Sequence, residues 1–227
     1  FSVMSAWLPC VLSFAISLSV LLSTLYKSIP GGDSGELVAE SCKLGVAHPP
    51  GYPLFTLLTY PLTLLDHGTI AWRSNALTAV WASTASALLS ATYLTWVGRR
   101  GVLDQAISIA VGVCFTTSPL TWTYSVGSEV FGLNNALVAL LLFLAARFST
   151  AATPAERVRW ASGGAFACGL ALCNQHTAVL FEAPIVLRVL WALRKELCAR
   201  PRLLLRFALL FAAGLLPYAY LPLAASL

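Results

Sequence analysis

The sequence predicts an all-α fold, a polytopic helical bundle embedded in a membrane, and three observations lead there. Hydrophobic residues make up 58% of the 227 positions and charged residues 10%. With a mean hydropathy of +0.79, this composition does not suit a surface that faces water. The apolar residues also fall into runs near the length of about 20 that a helix needs to span hydrocarbon. Finally, the formal net charge of +5 is carried by a few basic clusters between those runs. Such spacing is a membrane-topology pattern rather than a nucleic-acid-binding stripe.

Residues 4–26 form the first expected span, which is too long for the apolar core of a signal peptide and lacks a small-residue cleavage site. Further spans are expected at 75–97, 102–120, 130–148 and 203–223, with shorter ones at 160–173 and 177–193. The whole chain, 1–227, then reads as one membrane-embedded domain with a polar loop over residues 27–74. Residues 52–65, YPLFTLLTYPLTLL, are short and interrupted by Pro53 and Pro61, so they read as a re-entrant or interfacial hairpin rather than a full crossing. Residues 160–193 are too long for one helix, and NQHT breaks their middle. The chain starts at Phe1 and stops inside an apolar run, PLAASL, so it reads as part of a longer protein.

The positive-inside rule arbitrates the threading. The basic clusters are Arg99 with Arg100; Arg147 with Arg157 and Arg159; and the stretch 194–206. All of them fall on one side if 52–65 does not cross and if 160–193 is two helices meeting at NQHT. The opposite face then collects GGDSGEL, AHPPGY, Arg73, the segment around Glu129, and NQHT.

The six cysteines lie mostly inside apolar runs and form no C-x-x-C pair, so no disulfide framework or zinc site is expected. GGDSG lacks the G-K-[ST] ending of a phosphate-binding loop, and Ser34 lacks a G-x-S-x-G context. Trp72, Trp96, Trp122, Tyr124 and Trp160 flank the spans as interfacial anchors do.

The polar residues of the collected face each carry two readings. Asp33, with Glu36 three residues on, resembles a capping box starting a helix that would end at Gly45. The same carboxylates follow a span directly and are preceded by two glycines that admit a ligand to the backbone, which points to catalysis. His48 in AHPPGYP either caps an extended turn or binds phosphate and passes a proton. Arg73 is an interfacial anchor or a phosphate clamp. Glu129, at a helix start after Ser128, is either favoured by the helix dipole alone or part of the same site. Asn174, Gln175 and His176 would be costly to bury without partners, and a polar cavity is the economical explanation. Glu182 ranks below them. A transporter lined by Asp33, Glu129 and His176 is the rival reading, but internal repeats are absent. A scaffold with a merely capped loop helix is another.

GGDSGEL, then LGVAHPPGYPLFTLL, SEVFGLNN, CGLALCNQHT and AGLLPYAYLP together resemble the transmembrane protein 260 family, multi-pass glycosyltransferases of the GT-C type. The resemblance implies a GT-C-like membrane core in the endoplasmic reticulum, with its active face lumenal and a further lumenal portion beyond this chain. It implies inverting transfer of mannose from dolichyl phosphate mannose to Ser or Thr of plexin-type and growth-factor-receptor-type ectodomains. The family places an acid of the first lumenal loop as catalytic base, a position that Asp33 occupies here with Glu36 close by. Donor binding is expected from His48, Arg73, Glu129, Asn174, Gln175 and His176. The expected partners are the lipid-linked sugar, the acceptor protein and membrane lipids, with no nucleic acid. No cofactor is expected, and acids this sparse give no reason to predict a divalent cation.

Overall fold

The computed structural model describes residues 3–98 and 101–226, so the expected basic pair Arg99 and Arg100 lies outside the described residues. Among the described residues the chain is helical and contains no strand. The helices are α1 (Val3–Ser23), α2 (Ser34–Lys43), α3 (Pro53–Thr63), α4 (Ile70–Val97), α5 (Val102–Thr117) and α6 (Pro119–Thr123). After them come α7 (Val130–Thr150), α8 (Pro154–Leu172), α9 (Val179–Ala192), α10 (Arg194–Ala199), α11 (Arg202–Gly214) and α12 (Tyr220–Ala224). Short 3₁₀ turns precede α9 (His176–Ala178) and α12 (Leu216–Ala219).

The long helix α4 is the axis of the bundle, packed against α7, α1 and α5, while α8 joins α7 to α11. Apolar side chains gain little from clustering in lipid, so small residues and hydroxyls must hold such helices together. Ser86 on α4 meets Ser13 Oγ at 2.6 Å and accepts from Ser17 at 2.9 Å, and Ser17 in turn meets Thr116 of α5 at 2.7 Å. Ser90 and Ser108 pair at 2.5 Å between α4 and α5. Gly132 lets α7 approach α4 so closely that a Cβ there would lie 2.7 Å from the Thr78 carbonyl oxygen. Gly169 and Gly214 do the same for α8 and α11, where a Cβ on either would collide with the other helix's backbone.

Among the described residues α4 and α7 are each long and apolar enough to cross a membrane, and the bent pair α11 to α12 makes a third if it is one span. The expected 203–223 span is thus not straight. It bends by 47°, where Pro217 sits in the 3₁₀ turn and cannot continue the hydrogen-bond ladder. The helix of the 102–120 region stops at Thr117, because Ser118 is extended before Pro119 and α6 starts afresh there. Helix α8 starts at Pro154, earlier than the expected 160. Thr153 and Glu156 form a capping box there, and the T-x-x-E spacing of that box was present in the sequence. Helix α3 has 11 residues, about 16 Å at 1.5 Å per residue, half of the hydrocarbon thickness.

Helix α7 sets the geometry of everything that follows. Its 21 residues extend about 30 Å, with Glu129 just before its first residue and, packed around Phe148 near its other end, the start of α8 and the basic stretch that joins α9 to α11.

Candidate active site

The connection after α1 is fastened to the start of α7 by groups that leave few alternatives. Asn75, fully buried on α4, donates from Nδ2 to the carbonyls of Tyr26 (2.8 Å) and Ser28 (3.0 Å). Tyr26 N–H donates to the Val126 carbonyl at 3.2 Å. Pro30 packs on Gly127, where a Cβ would come within 2.7 Å of its ring. Ser74 and Ser128, both buried, share a 2.6 Å hydrogen bond. The chain is thereby steered past Glu129 at Gly32, where a φ of +59° and a Cβ that would lie 3.2 Å from Glu129 Oε1 favour glycine.

Beneath the site, Leu37 of α2, Leu54 and Phe55 of α3, Val130 and Leu133 of α7, and Ala171 of α8 form one buried cluster. Helices α2 and α3 therefore sit as a cap on the end of the α7–α8 pair. Helix α2 ends as the sequence suggests, but Leu44 rather than Gly45 takes the left-handed conformation, at φ +51°. Gly45 lies against the Glu40 carboxylate and the Lys43 side chain, which a Cβ there would displace.

Asp33 is the N-cap residue of α2, yet its side chain makes no capping hydrogen bond. The capping-box reading fails at the other partner too, because Glu36 turns outward to His48. Glu36 accepts from the His48 backbone N–H at 2.6 Å and meets His48 Nδ1 at 2.9 Å. A carboxylate only accepts, so Nδ1 carries the proton, and in the neutral ring Nε2 is then the acceptor. Tyr52 O–H donates to that Nε2 at 3.2 Å, and Asp33 Oδ2 lies 3.8 Å from it.

Glu129 completes the cluster from below. It is 9% exposed and accepts from Ser34 Oγ at 3.3 Å. Burial pushes its carboxyl above the ordinary value, the negative charge of Asp33 pushes it further, and the hydrogen bond from Ser34 opposes both. Glu36 moves the other way, held low by its side-chain and backbone hydrogen bonds from His48. Tyr52 is raised by burial and then by the charges of Asp33, Glu129 and Glu36, which keeps its phenol a donor. Asp33 stands apart: its side chain is 60% exposed and, apart from the distant His48 contact, uncommitted.

Of the sequence-predicted residues, the structure thus brings Asp33, Glu36, His48 and Glu129 together. Asn174 lies just below them, donating from Nδ2 to the Val130 carbonyl at 3.0 Å while Leu54 N–H donates to Cys173 O at 3.2 Å. Its Oδ1, like Gln175 Oε1, is buried with no hydrogen-bond partner among the described residues. His176 meets Tyr218 O–H at 2.5 Å, and that hydroxyl also donates to Leu172 O. Arg73 is 7% exposed, and its guanidinium donates to the carbonyls of His67, Gly68 and Thr63 at 2.8, 3.0 and 3.1 Å. It closes the α3–α4 connection. Neither Arg73, Gln175 nor His176 makes a hydrogen bond or ion pair with the four clustered residues. Glu182 is buried on α9 with Oε1 unpartnered, also apart from them. Among the described residues no three His, Cys, Asp or Glu side chains are arranged to hold a metal ion.

Sequence reasoning missed Tyr52, Ser34 and Asn75. Tyr52 had a signal, a hydroxyl four residues after His48 across a proline turn. Asn75 had one too, an amide at the mouth of an apolar run. Ser34 had none, because its partner is 95 residues away.

The chain matches the family described as the protein O-mannosyl-transferase TMEM260 N-terminal domain over residues 33–198. It is 48% identical over 212 residues to the mouse protein O-mannosyl-transferase TMEM260, covering 92% of this chain and 29% of that protein. It is 34% identical over 228 positions to protein O-mannosyl-transferase tmem260 of Dictyostelium discoideum, covering 93% of this chain and 27% of that protein. The chain spans less than a third of the length of these relatives. No solved structure matches it. With its α2–α3 cap, its Glu129-bearing α7 and the α8–α9 junction all inside the matched region, the chain belongs to the TMEM260 N-terminal domain family.

Proposed function

We propose that this chain is the membrane-embedded catalytic core of a GT-C type protein O-mannosyltransferase, working at the lumenal face of the endoplasmic reticulum. It moves mannose from dolichyl phosphate mannose to Ser or Thr hydroxyls of plexin-type and growth-factor-receptor-type ectodomains. The observation that carries this reading is the pairing of an uncommitted, exposed Asp33 with a Glu36–His48 pair whose Nε2 faces it.

A Ser or Thr hydroxyl is a weak nucleophile, so its proton must leave as the oxygen attacks the anomeric carbon. Asp33 takes that proton. The bond from the sugar carbon to the phosphate oxygen breaks, dolichyl phosphate departs with the electron pair, and the attack from the opposite face inverts the centre, as a single base does in inverting glycosidases. As Asp33 closes on the ring and the Tyr52 hydroxyl gives up Nε2, His48 accepts the proton from Asp33 there, and Glu36, holding Nδ1–H, stabilises the imidazolium. The half-exposed ring returns it to solvent. Glu129 keeps a buried acid beside Asp33 and holds the loop through Ser34. Arg73 is spent on backbone carbonyls, and His48 has an N–H free for the donor phosphate only as the imidazolium, once it has taken the Asp33 proton at Nε2.

The test is transfer from dolichyl phosphate mannose to a plexin-type acceptor by the full-length protein. Wild type is expected to transfer mannose in preference to other dolichyl-linked sugars, and Asp33→Asn to insert normally in the membrane and transfer none. Near-normal transfer by Asp33→Asn overturns the assignment.

A further inference from the structure

The far end of the bundle, a membrane thickness from the acids along α7, holds a cleft of about 800 Å³ between the start of α8, α10 and the start of α11. Lys195, Arg200 and Arg206 line it, with Glu196 as the one acid. Four other arginines of this end are engaged within the protein. Arg147 and Arg159 lie over the Trp160 ring at 4.7 and 4.8 Å, Arg188 donates to Ser149 Oγ at 2.8 Å, and Arg194 lies over Trp191. Among the described residues the three cleft cations form no ion pair. The α8 N-terminus is not what draws an anion there, since Thr153 and Glu156 already cap its free N–H groups.

The surroundings say what kind of anion fits. Leu203 lines the cleft, and the following Leu204 and Leu205 on α11 are 49% and 60% exposed. Unpaired cations beside exposed apolar residues, at one end of a membrane bundle, match a molecule with a phosphate head and hydrocarbon tails. A free phosphate ion has no use for the apolar rim. We infer that this cleft binds the headgroup of an anionic phospholipid in the leaflet opposite the acidic site, with Lys195, Arg200 and Arg206 on the phosphate and the acyl chains along α11. The site anchors that end of the bundle at the bilayer surface. This inference does not rest on the catalytic reading.

The experiment is native mass spectrometry of the full-length protein released from mixed micelles holding phosphatidylinositol or phosphatidylcholine, with and without inorganic phosphate. Wild type should retain phosphatidylinositol over phosphatidylcholine, and Arg200→Gln with Arg206→Gln should cut that retention about thirtyfold, the factor for two basic residues lost from the membrane surface. Arg206→Lys, which keeps the charge, and Lys43→Gln, at the opposite end, should retain it. Equal retention of both lipids, or unaltered retention by the double Gln variant, overturns the proposal. So does complete displacement of the lipid by millimolar phosphate, which would mark a site for a soluble anion. An equal loss in Lys43→Gln would reduce the effect to net charge and overturn it too.

Discussion

The link between Glu36 and His48 is the part of the site whose value is most open to measurement. Glu36 receives two hydrogen bonds, from the His48 backbone N–H at 2.6 Å and from Nδ1 at 2.9 Å. Glu36→Gln keeps the shape but sets an amide against one of those donors. A hydrogen bond to a charged group contributes about 1.5–3 kcal/mol. Both side chains are more than a third exposed, so solvent screening reduces the expected coupling to about 1 kcal/mol. A double-mutant cycle in the full-length protein, with Glu36→Gln, His48→Ala and the pair, read as kcat/KM for mannosyl transfer, isolates that coupling. Each single variant should lose activity, and the pair should lose about fivefold less than the product of the two, the factor equivalent to about 1 kcal/mol. The pH dependence adds a second readout. Because the bonds from His48 hold the Glu36 carboxyl below its ordinary value, the folded loop gains stability above that ordinary value and loses it as pH falls through the lowered one. Glu36→Gln should flatten this acid limb. Additivity within about 0.3 kcal/mol, with an unaltered acid limb, would refute the relay.

Other perturbations separate structural from functional roles. Arg73→Lys should cost about 1–3 kcal/mol of stability by stripping buried carbonyls of donors, with donor KM unchanged in the folded fraction, whereas a several-fold rise in KM would place Arg73 on the phosphate. Glu129→Gln should keep the Ser34 bond and weaken turnover several-fold. Since burial raises the Glu129 carboxyl, the wild-type fold is favoured when it is protonated and loses that advantage as pH climbs above the ordinary carboxylate range. Glu129→Gln should thus be the more stable of the two at neutral pH and lose its lead in acid, and thermal melts at both pH values would show it. Gly169→Val forces a side chain into the α8–α11 crossing and should destabilise by about 1–3 kcal/mol, visible as earlier unfolding in detergent, and an unchanged melt would mean the helices do not cross so closely.

Much of the helical layout was legible because apolar runs and breakers act locally. Residues 52–65 are short as expected, though they form the single helix α3 with Pro61 inside it rather than a hairpin, and NQHT separates α8 from α9, as side chains that need partners interrupt a run. The break at Pro217 was equally local and was hidden by the high hydropathy around it. Long-range pairing was harder to see. The first-loop acids could be picked out as unusual in an oily chain, but their division of labour depends on where His48 folds back, and a cap and an outward-turned carboxylate share the same D-x-x-E spacing. Arg73 shows the reverse case. A guanidinium fork suits phosphate and a set of helix-end carbonyls equally well, and only the packing of α3 against α4 decides which it meets. Glu129 and Ser34 meet because Asn75 pins the intervening chain, a constraint that no local pattern carries.

In the proposed mechanism Asp33, not Glu36, takes the proton from the acceptor hydroxyl. Mannosyl transfer by full-length Asp33→Asn and Glu36→Gln, measured side by side at saturating dolichyl phosphate mannose, separates the two acids. A lost general base costs about 10²–10⁴ in rate, so Asp33→Asn should fall by at least a hundredfold while Glu36→Gln falls only several-fold. The opposite order, with Asp33→Asn the more active of the two, would place the base at Glu36.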